Sequence, residues 1–524
     1  MKKYIIILLI AFFANACTDN FEEFNSNPYQ ISGESLKQDF NFVGAYFPTL
    51  LANIFGHQIE ENLAAESFCD HMATPTPFVA GVNNTTYYIR WNTYWNRIYN
   101  SIMAPSEQVI KLAQEEDYPV FEAWAKLIRI MGMSRLTTYH GPVIYSDYGS
   151  SAATVNYDSE QNLYNTFFTQ LDEIQAVFSA NADYNGMKNF DATYKGDVTQ
   201  WMKLVNSLRL RLAIRISKVA PTVAKTQGEK AIADPAGLIL TNADNTTISL
   251  YGGKLYLSII CFEWDDTRMS AGMESILIGL KDNRISKMFA PATDNTLYPD
   301  HPEWPYKGIR NGALLADKSQ RTSFSKINES FKSITKRNYL AASEVYFDLA
   351  EAGLRGWTGA GNPQENYETG VRLSFADWGA GGVDAYLADE TSKPLNYTDP
   401  VSSPVNDYVA RSTITVKWNN ADSNELKLEK IITQKWIAGF FNPNEPWADF
   451  RRTGYPKLNP VYKNDSSPDW GVIPAGDFIK RMPFVNAERT GNPQGVAAAV
   501  ATMGSGAKDD IATSLWWDVD GPNF

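Results

Sequence analysis

The sequence predicts a mostly α-helical fold, a single helix-rich body whose long irregular segments form a loop-rich face with a few short strands. Three observations lead there. Several windows repeat apolar residues at the 3.6-residue period of an amphipathic helix. Short connections pair some of these windows, as between antiparallel neighbours in an α-hairpin array. No Ser/Gly linker or block of like charge divides the 524 residues, of which 44% are apolar and 20% charged, so a sizeable core can form and wholesale disorder is excluded.

The elements follow in chain order. Trp91, Trp95 and Tyr99 start a helix over 91–114. After Asp117 and Pro119 as start signals, Phe121, Trp124, Ile128 and Met131 form the next stripe. Asp158 and Gln161 stand at capping-box spacing before Tyr164, Phe168, Leu171, Ile174 and Phe178. Asp197 and Gln200 do the same for Trp201, Val205, Leu208, Leu212 and Ile216, with Pro221 closing that helix. Val345, Leu349 and Ala352 mark a helix that stops near Gly356, and Leu428, Ile432 and Trp436 mark another. The helical scaffold thus covers about 36–218 and 340–440. Gly, Pro, Asn and Asp crowd the segments of about 220–339, 380–425 and 442–524, where short apolar runs at 238–240 and 248–251 read as strands.

The first residues are an address. Lys2 and Lys3 precede an apolar run over 4–13 and then Ala14, Asn15, Ala16 and Cys17, the pattern of a secretory signal too short to span a bilayer. Small residues directly before Cys17 resemble a bacterial lipobox. Residues 1–16 then form a lipoprotein signal peptide, and Cys17 is the acylated first residue of the mature chain, 17–524. Several acyl chains on one cysteine anchor stably. The acidic residues after Cys17 resemble the surface-export signal of some Gram-negative lipoproteins.

Charge and motif content exclude other classes. With 47 Lys and Arg against 59 Asp and Glu, the net charge is −12, which makes the chain a poor nucleic-acid binder. Three cysteines cannot form a disulfide framework, and Cys69 and Cys261 are candidate free thiols. The four histidines, His57, His71, His140 and His301, are dispersed and lack HExxH spacing. No nucleophile elbow or phosphate loop is present. No cofactor is implied; Asp- and Asn-rich loops suit calcium in composition, but EF-hand spacing is missing. The nearest suspects for hydrolysis are Glu263, Asp265 and Asp266 beside Trp264, set against their reading as a solvated acidic loop. Glu344, Asp348 and Glu351 share one helix face, where like charges repel, so arginine partners are expected, with Arg451 or Arg452 as candidates.

Five stretches carry a family resemblance: WNRIYNSIMA at 95–104, AWAKLIRIMGMSRLTTYHGPVIYSD at 123–147, WMKLVNSLRLRLAIRIS at 201–217, ASEVYFDLAEAGLRGW at 342–357 and IITQKWIAGFFNPNEPWADFRRTGYP at 431–456. Together with KRMPFVNAE at 480–488 and the terminal Leu515-Trp516-Trp517, they resemble the SusD/RagB outer-membrane lipoproteins along essentially the whole chain. The resemblance implies a scaffold of TPR-like helix pairs and irregular loops forming the ligand face. It also implies a lipid-anchored, non-catalytic protein facing the cell exterior, which binds glycan or, as in RagB-like relatives, peptide. Its partner would be a SusC-like TonB-dependent transporter.

A sugar ring offers an apolar C–H face to aromatic side chains and a rim of hydroxyls to polar ones. In the starch-binding member of the family, as the resemblance implies, the loop before the first scaffold helix supplies an aromatic residue and an Asn. Here that region holds Asn83, Tyr87, Tyr88 and Trp91, and the middle loops hold Trp264, Trp304 and Tyr306. Adjacent Tyr87 and Tyr88 face opposite ways on an extended segment, so at most one points outward. Trp91 also fits the core stripe of the helix after it, and Trp304 between Pro302 and Pro305 equally fits a cover over the scaffold. Trp124, Trp201 and Trp436 lie on periodic faces and read as core.

Overall fold

The computed structural model describes residues 37–524; the signal segment and Cys17 lie outside the described residues. The fold is mostly helical. A helix starts at Tyr94–Ile98, passes through a π-helical turn at Tyr99–Met103 and continues as α1, Ala104–Glu115. It starts three residues later than the aromatic spacing predicts. Trp91 therefore lies on the extended approach to the helix and not on its stripe. Helix α2, Pro119–His140, has proline in its first turn, where a missing N–H costs nothing, and ends at Gly141 with φ 86°. It is buried along most of its length: Trp124 stacks on Phe47 at 3.8 Å and meets Trp201 edge-on at 5.3 Å.

Helix α3, Glu160–Ala180, is capped by Ser159, whose side chain accepts from the Asn162 N–H. The expected cap Asp158 instead accepts from the Tyr145 and Ser146 N–H groups, so the boundary sits one residue later. Helix α4, Val198–Arg215, is capped by Asp197 as expected. Pro221 does more than close α4: it opens α5, Pro221–Ala233, inside a segment read as loop. Gly228, midway along α5, lets the ring of Trp357 come within 2.1 Å of where a Cβ would stand. Helices α6 (Ala271–Gly279), α7 (Ala342–Leu354), α8 (Pro363–Asp377), α9 (Asn424–Ala438), α10 (Asn444–Thr453) and α11 (Pro493–Ala501) follow. Of these, α6, α10 and α11 also fall in segments read as loop-rich.

Successive helices pack as hairpins: α2 lies against α1 and α3, α4 against α3 and α5, and α7 against α8 and α9. Two short antiparallel sheets complete the described residues. In one, β1 (Met72–Ala73) pairs with β3 (Arg268–Met269); in the other, β2 (Thr246–Ser249) pairs with β4 (Lys336–Leu340), with a register irregularity at Thr246/Thr247. The apolar run at 238–240 forms no strand. Trp124, Trp201 and Trp436 are core, at 0%, 0% and 1% exposure.

Helices α4, α7, α9 and α10 meet around buried charges. Glu344 accepts from Arg211 at 2.6 and 2.8 Å, Asp348 from Lys435 at 2.6 Å, and Glu351 from Arg452 at 2.6 and 2.8 Å and from Arg355. Asp449 joins Lys435 and Arg452, and Glu445 joins Arg215. Of the two expected arginines, Arg452 takes part. Arg451 does not: its guanidinium stacks on Trp447 at 3.6 Å, and its N–H groups go to the Trp447, Thr138 and Lys480 carbonyls.

Candidate ligand-binding site

A cavity of about 340 Å³ opens between residues 52–66, residues 250–260, Arg337 of β4 and Phe441. That is within the size range of small-ligand sites. Its floor comes from the π-helical turn Gln58–Glu66, which starts at His57 with the Glu60 carboxylate accepting the His57 N–H at 2.9 Å. Glu61 accepts from the Gly56 N–H at 2.9 Å, from Arg135 at 3.0 Å and from Arg337 at 2.7 Å. Burial alone would raise the Glu61 carboxyl, but Arg337 and Arg135 outweigh it and hold the group below its ordinary value. Glu66 has no such partner. Burial pushes it up to about 7, opposed mainly by the Asn62 amide, which donates at 2.8 Å. The Arg337 guanidinium carbon lies over the Phe55 ring, 4.1 Å from its centre. Aliphatic residues, among them Leu255, Leu257, Ile259 and Ile260, line the walls.

Aromatic rings line the mouth. His57 packs on Tyr256 at 4.3 Å, and Trp264 meets Tyr256 edge-on at 5.7 Å. Trp264 is 42% exposed and Tyr251, on the rim, is 63% exposed. The Trp264 loop is tied down by Lys318, which donates to the Trp264 carbonyl at 2.8 Å and to Asp266 at 2.6 Å. Thr76 also donates to Asp266, at 2.6 Å, so the middle loop and the loop before the first scaffold helix share one surface.

The seven sequence-selected residues separate by burial. Trp264 stands exposed beside the cavity. Tyr88 is exposed while Tyr87 is buried at a left-handed turn with φ 65°, so one of the pair points outward. Trp91 is half-buried, with Phe78 edge-on at 5.6 Å and Arg90 over its ring at 5.1 Å. Asn83 is buried and caps the turn Asn84–Thr86, its side-chain oxygen accepting the Thr85 N–H. Tyr306 is buried and Trp304 half-buried against the core; neither lines the cavity. Tyr251, Tyr256, His57, Asn62 and Arg337 also line the cavity, and the sequence reading did not select them as ligand candidates. The Tyr251-Gly252-Gly253 turn was the available signal for the first two, whereas no spacing links Arg337 to residues 57–62.

The acidic loop is fully paired. Asp265 meets Arg268 and Lys326, each at 2.7 Å, Asp266 meets Lys318, and Glu263 approaches Lys254 at 3.8 Å. Cys69 and Cys261 are free and buried. Among the described residues no group of three or more His, Cys, Asp or Glu is placed to hold a metal ion. No helix among them is long and apolar enough to cross a membrane.

Residues 23–518 match the family model described as SusD-like, the SusD and RagB outer-membrane lipoproteins. The chain belongs to the SusD/RagB family. Among solved structures, a chitin-binding SusD homolog from Flavobacterium johnsoniae is 38% identical, with 92% of this chain and 100% of that chain covered at a TM-score of 0.86. A SusD homolog from Bacteroides vulgatus is 31% identical over 93% and 99% of the two chains, TM-score 0.85. A SusD-like protein from Bacteroides thetaiotaomicron is 31% identical over 91% and 98%, TM-score 0.82. No curated protein matches. The SusD-like neighbours share the helical body and the scarcity of strands.

Proposed function

We propose that this SusD-like protein captures oligosaccharide at the cell surface and delivers it to a SusC-like TonB-dependent transporter, without catalysis. The carrying observation is that Tyr251 and Tyr256 line a cavity with a polar floor, with the exposed Trp264 edge-on against Tyr256. Rings stack on the C–H face of a sugar, and buried polar groups read its substituents. The chitin-binding neighbour makes β-1,4-linked amino sugars the first ligands to try. Cys17 is the anchor that would hold the protein on the outer membrane, and no cofactor takes part.

A hydrolase needs one carboxyl to give a proton and another with a free lone pair. Glu61 and Glu66 share the cavity, but Glu61 is held by the Gly56 N–H, Arg135 and Arg337, which fits a structural ion pair better than a catalytic carboxylate. An aromatic mouth with aliphatic walls suits sugar rings better than a peptide backbone, so peptide is the second ligand class. The test is a glycan array probed with the full-length protein in detergent. Retention of at least one oligosaccharide is expected; retention of peptides alone would replace the reading.

A further inference from the structure

We propose that a second cavity, at the C-terminal end of α10, is a site for a sugar that carries a carboxylate, with Arg451 holding the carboxylate. The site is independent of the aromatic-lined cavity. It encloses about 450 Å³ between α10 and the segments 454–458, 477–480 and 512–520. Arg451 lines it and is 6% exposed. The Arg451 Nε donates to the Trp447 carbonyl at 3.2 Å, and Nη1 donates to the Thr138 and Lys480 carbonyls at 2.8 and 2.7 Å. The buried Nη2 has no hydrogen-bond partner. Every other buried arginine among the described residues has a carboxylate oxygen within 4 Å; Arg451 has none.

A buried cation with no counter-ion is costly, and a ligand that brings one removes the cost. The Trp447 and Trp517 ring centres, 3.6 and 4.9 Å from the guanidinium carbon, and the three carbonyls offset part of it, but none of them carries a net charge. Burial pulls the group down to about 9, so it is still a cation at neutral pH. Asp518 opposes that shift, but it is paired with Lys480 at 3.1 Å, and Arg215 adds to it. Of the other cations on the cavity, Lys457 is paired with Glu429 at 2.8 Å, and Arg411 donates to the Leu458 carbonyl. Asp477 and Asp520 also line the cavity, and neither has a cation within 4 Å. Those two repel a simple anion. A sugar acid instead offers them hydroxyl donors, while its carboxylate accepts from Arg451. Phe450 and Phe478, edge-on at 4.7 Å, and Leu458 give an apolar wall to its C–H face.

The experiment is titration calorimetry of the full-length protein in detergent with methyl glucuronide, methyl glucoside and the dipeptide alanylalanine at pH 7. Methyl glucuronide is expected to bind about tenfold more tightly than methyl glucoside, equivalent to about 1.4 kcal/mol. Arg451→Lys, which keeps the charge and loses the planar fork, should erase most of that preference. Ser514→Trp, which fills the cavity and leaves Arg451 in place, should abolish glucuronide binding, with an unchanged circular dichroism spectrum as the check on folding. Glucuronide and glucoside within threefold of each other in the wild type would overturn the site, and so would glucuronide binding that survives both substitutions. Tighter binding of alanylalanine than of glucuronide would overturn the sugar acid in favour of a zwitterion. Capture at the aromatic-lined cavity stands or falls separately, on neutral oligosaccharides.

Discussion

Arg452→Met tests whether the charged seam between α4, α7, α9 and α10 holds the scaffold together. Five carboxylates (Glu344, Asp348, Glu351, Glu445, Asp449) meet five cations (Arg211, Arg215, Arg355, Lys435, Arg452) there. Arg452 is fully buried and gives three hydrogen bonds, two to Glu351 and one to Asp449. Removing one partner of a buried pair costs about 3–5 kcal/mol, because a charge is left uncompensated. Each orphaned carboxylate keeps one cation, Arg355 at 2.8 Å for Glu351 and Lys435 at 2.9 Å for Asp449, so we expect about 2–3 kcal/mol. Burial would raise the Glu351 carboxyl, but Arg452 and Arg355 outweigh it and hold it below 4.5. Its contribution to stability is therefore present above pH 4.5 and is lost as pH falls through the depressed value. The deficit of the variant should accordingly be full at pH 8 and should shrink below pH 4.5. Urea unfolding of wild type and variant across that range is the assay. A deficit under about 0.5 kcal/mol at pH 8, the scale of a surface change, would refute the reasoning.

Other expectations follow from the same contacts. Trp264→Ala removes the exposed ring that meets Tyr256 beside the cavity and should weaken oligosaccharide binding by about tenfold in calorimetry, near the upper end of an aromatic contact; a change under twofold would contradict its role. Gly228→Ala gains about 1 kcal/mol of helix propensity. It also drives a methyl into the buried Trp357 ring 2.1 Å away, at about 1–3 kcal/mol, so the melting temperature should fall, and a rise would mean that α5 and Trp357 are not in contact. Cys69 and Cys261 are buried, and burial pushes the Cys261 thiol up to about 11, so neither should react with Ellman's reagent at pH 8 until the protein is unfolded; fast reaction of the native protein would contradict their burial.

The scaffold was legible wherever apolar period and start signal coincide. Asp197 before the Trp201 stripe is such a case, and α4 begins there. Helix α5 was not legible: its sequence carries little apolar period, and Gly228 reads as a breaker until Trp357 is seen to require it. Helix α10 contains Asn444, Pro446 and two arginines that look solvent-facing, yet it is buried because those arginines are paired or stacked inside. The ion-pair expectation reached Glu351 and Arg452 from the like-charge face of α7 alone. Arg211 and Lys435 were not named, because no local pattern in α4 or α9 ties either side chain to the acidic face of α7. For the site, aromatic density pointed to Trp264, which is exposed beside the cavity, and to the Tyr87–Tyr88 pair, of which Tyr88 is exposed. Asn83 and Tyr306 are buried, and burial is set by tertiary packing that local sequence does not encode.

The most direct test of capture without chemistry is one incubation read in two ways. Purified full-length protein is titrated with the hexamer of N-acetylglucosamine in a calorimeter, and the same mixture is then separated by chromatography. The account predicts saturable binding and a hexamer recovered at its original length. Shorter sugars accumulating in proportion to protein, or no binding of this or any other oligosaccharide, would contradict it.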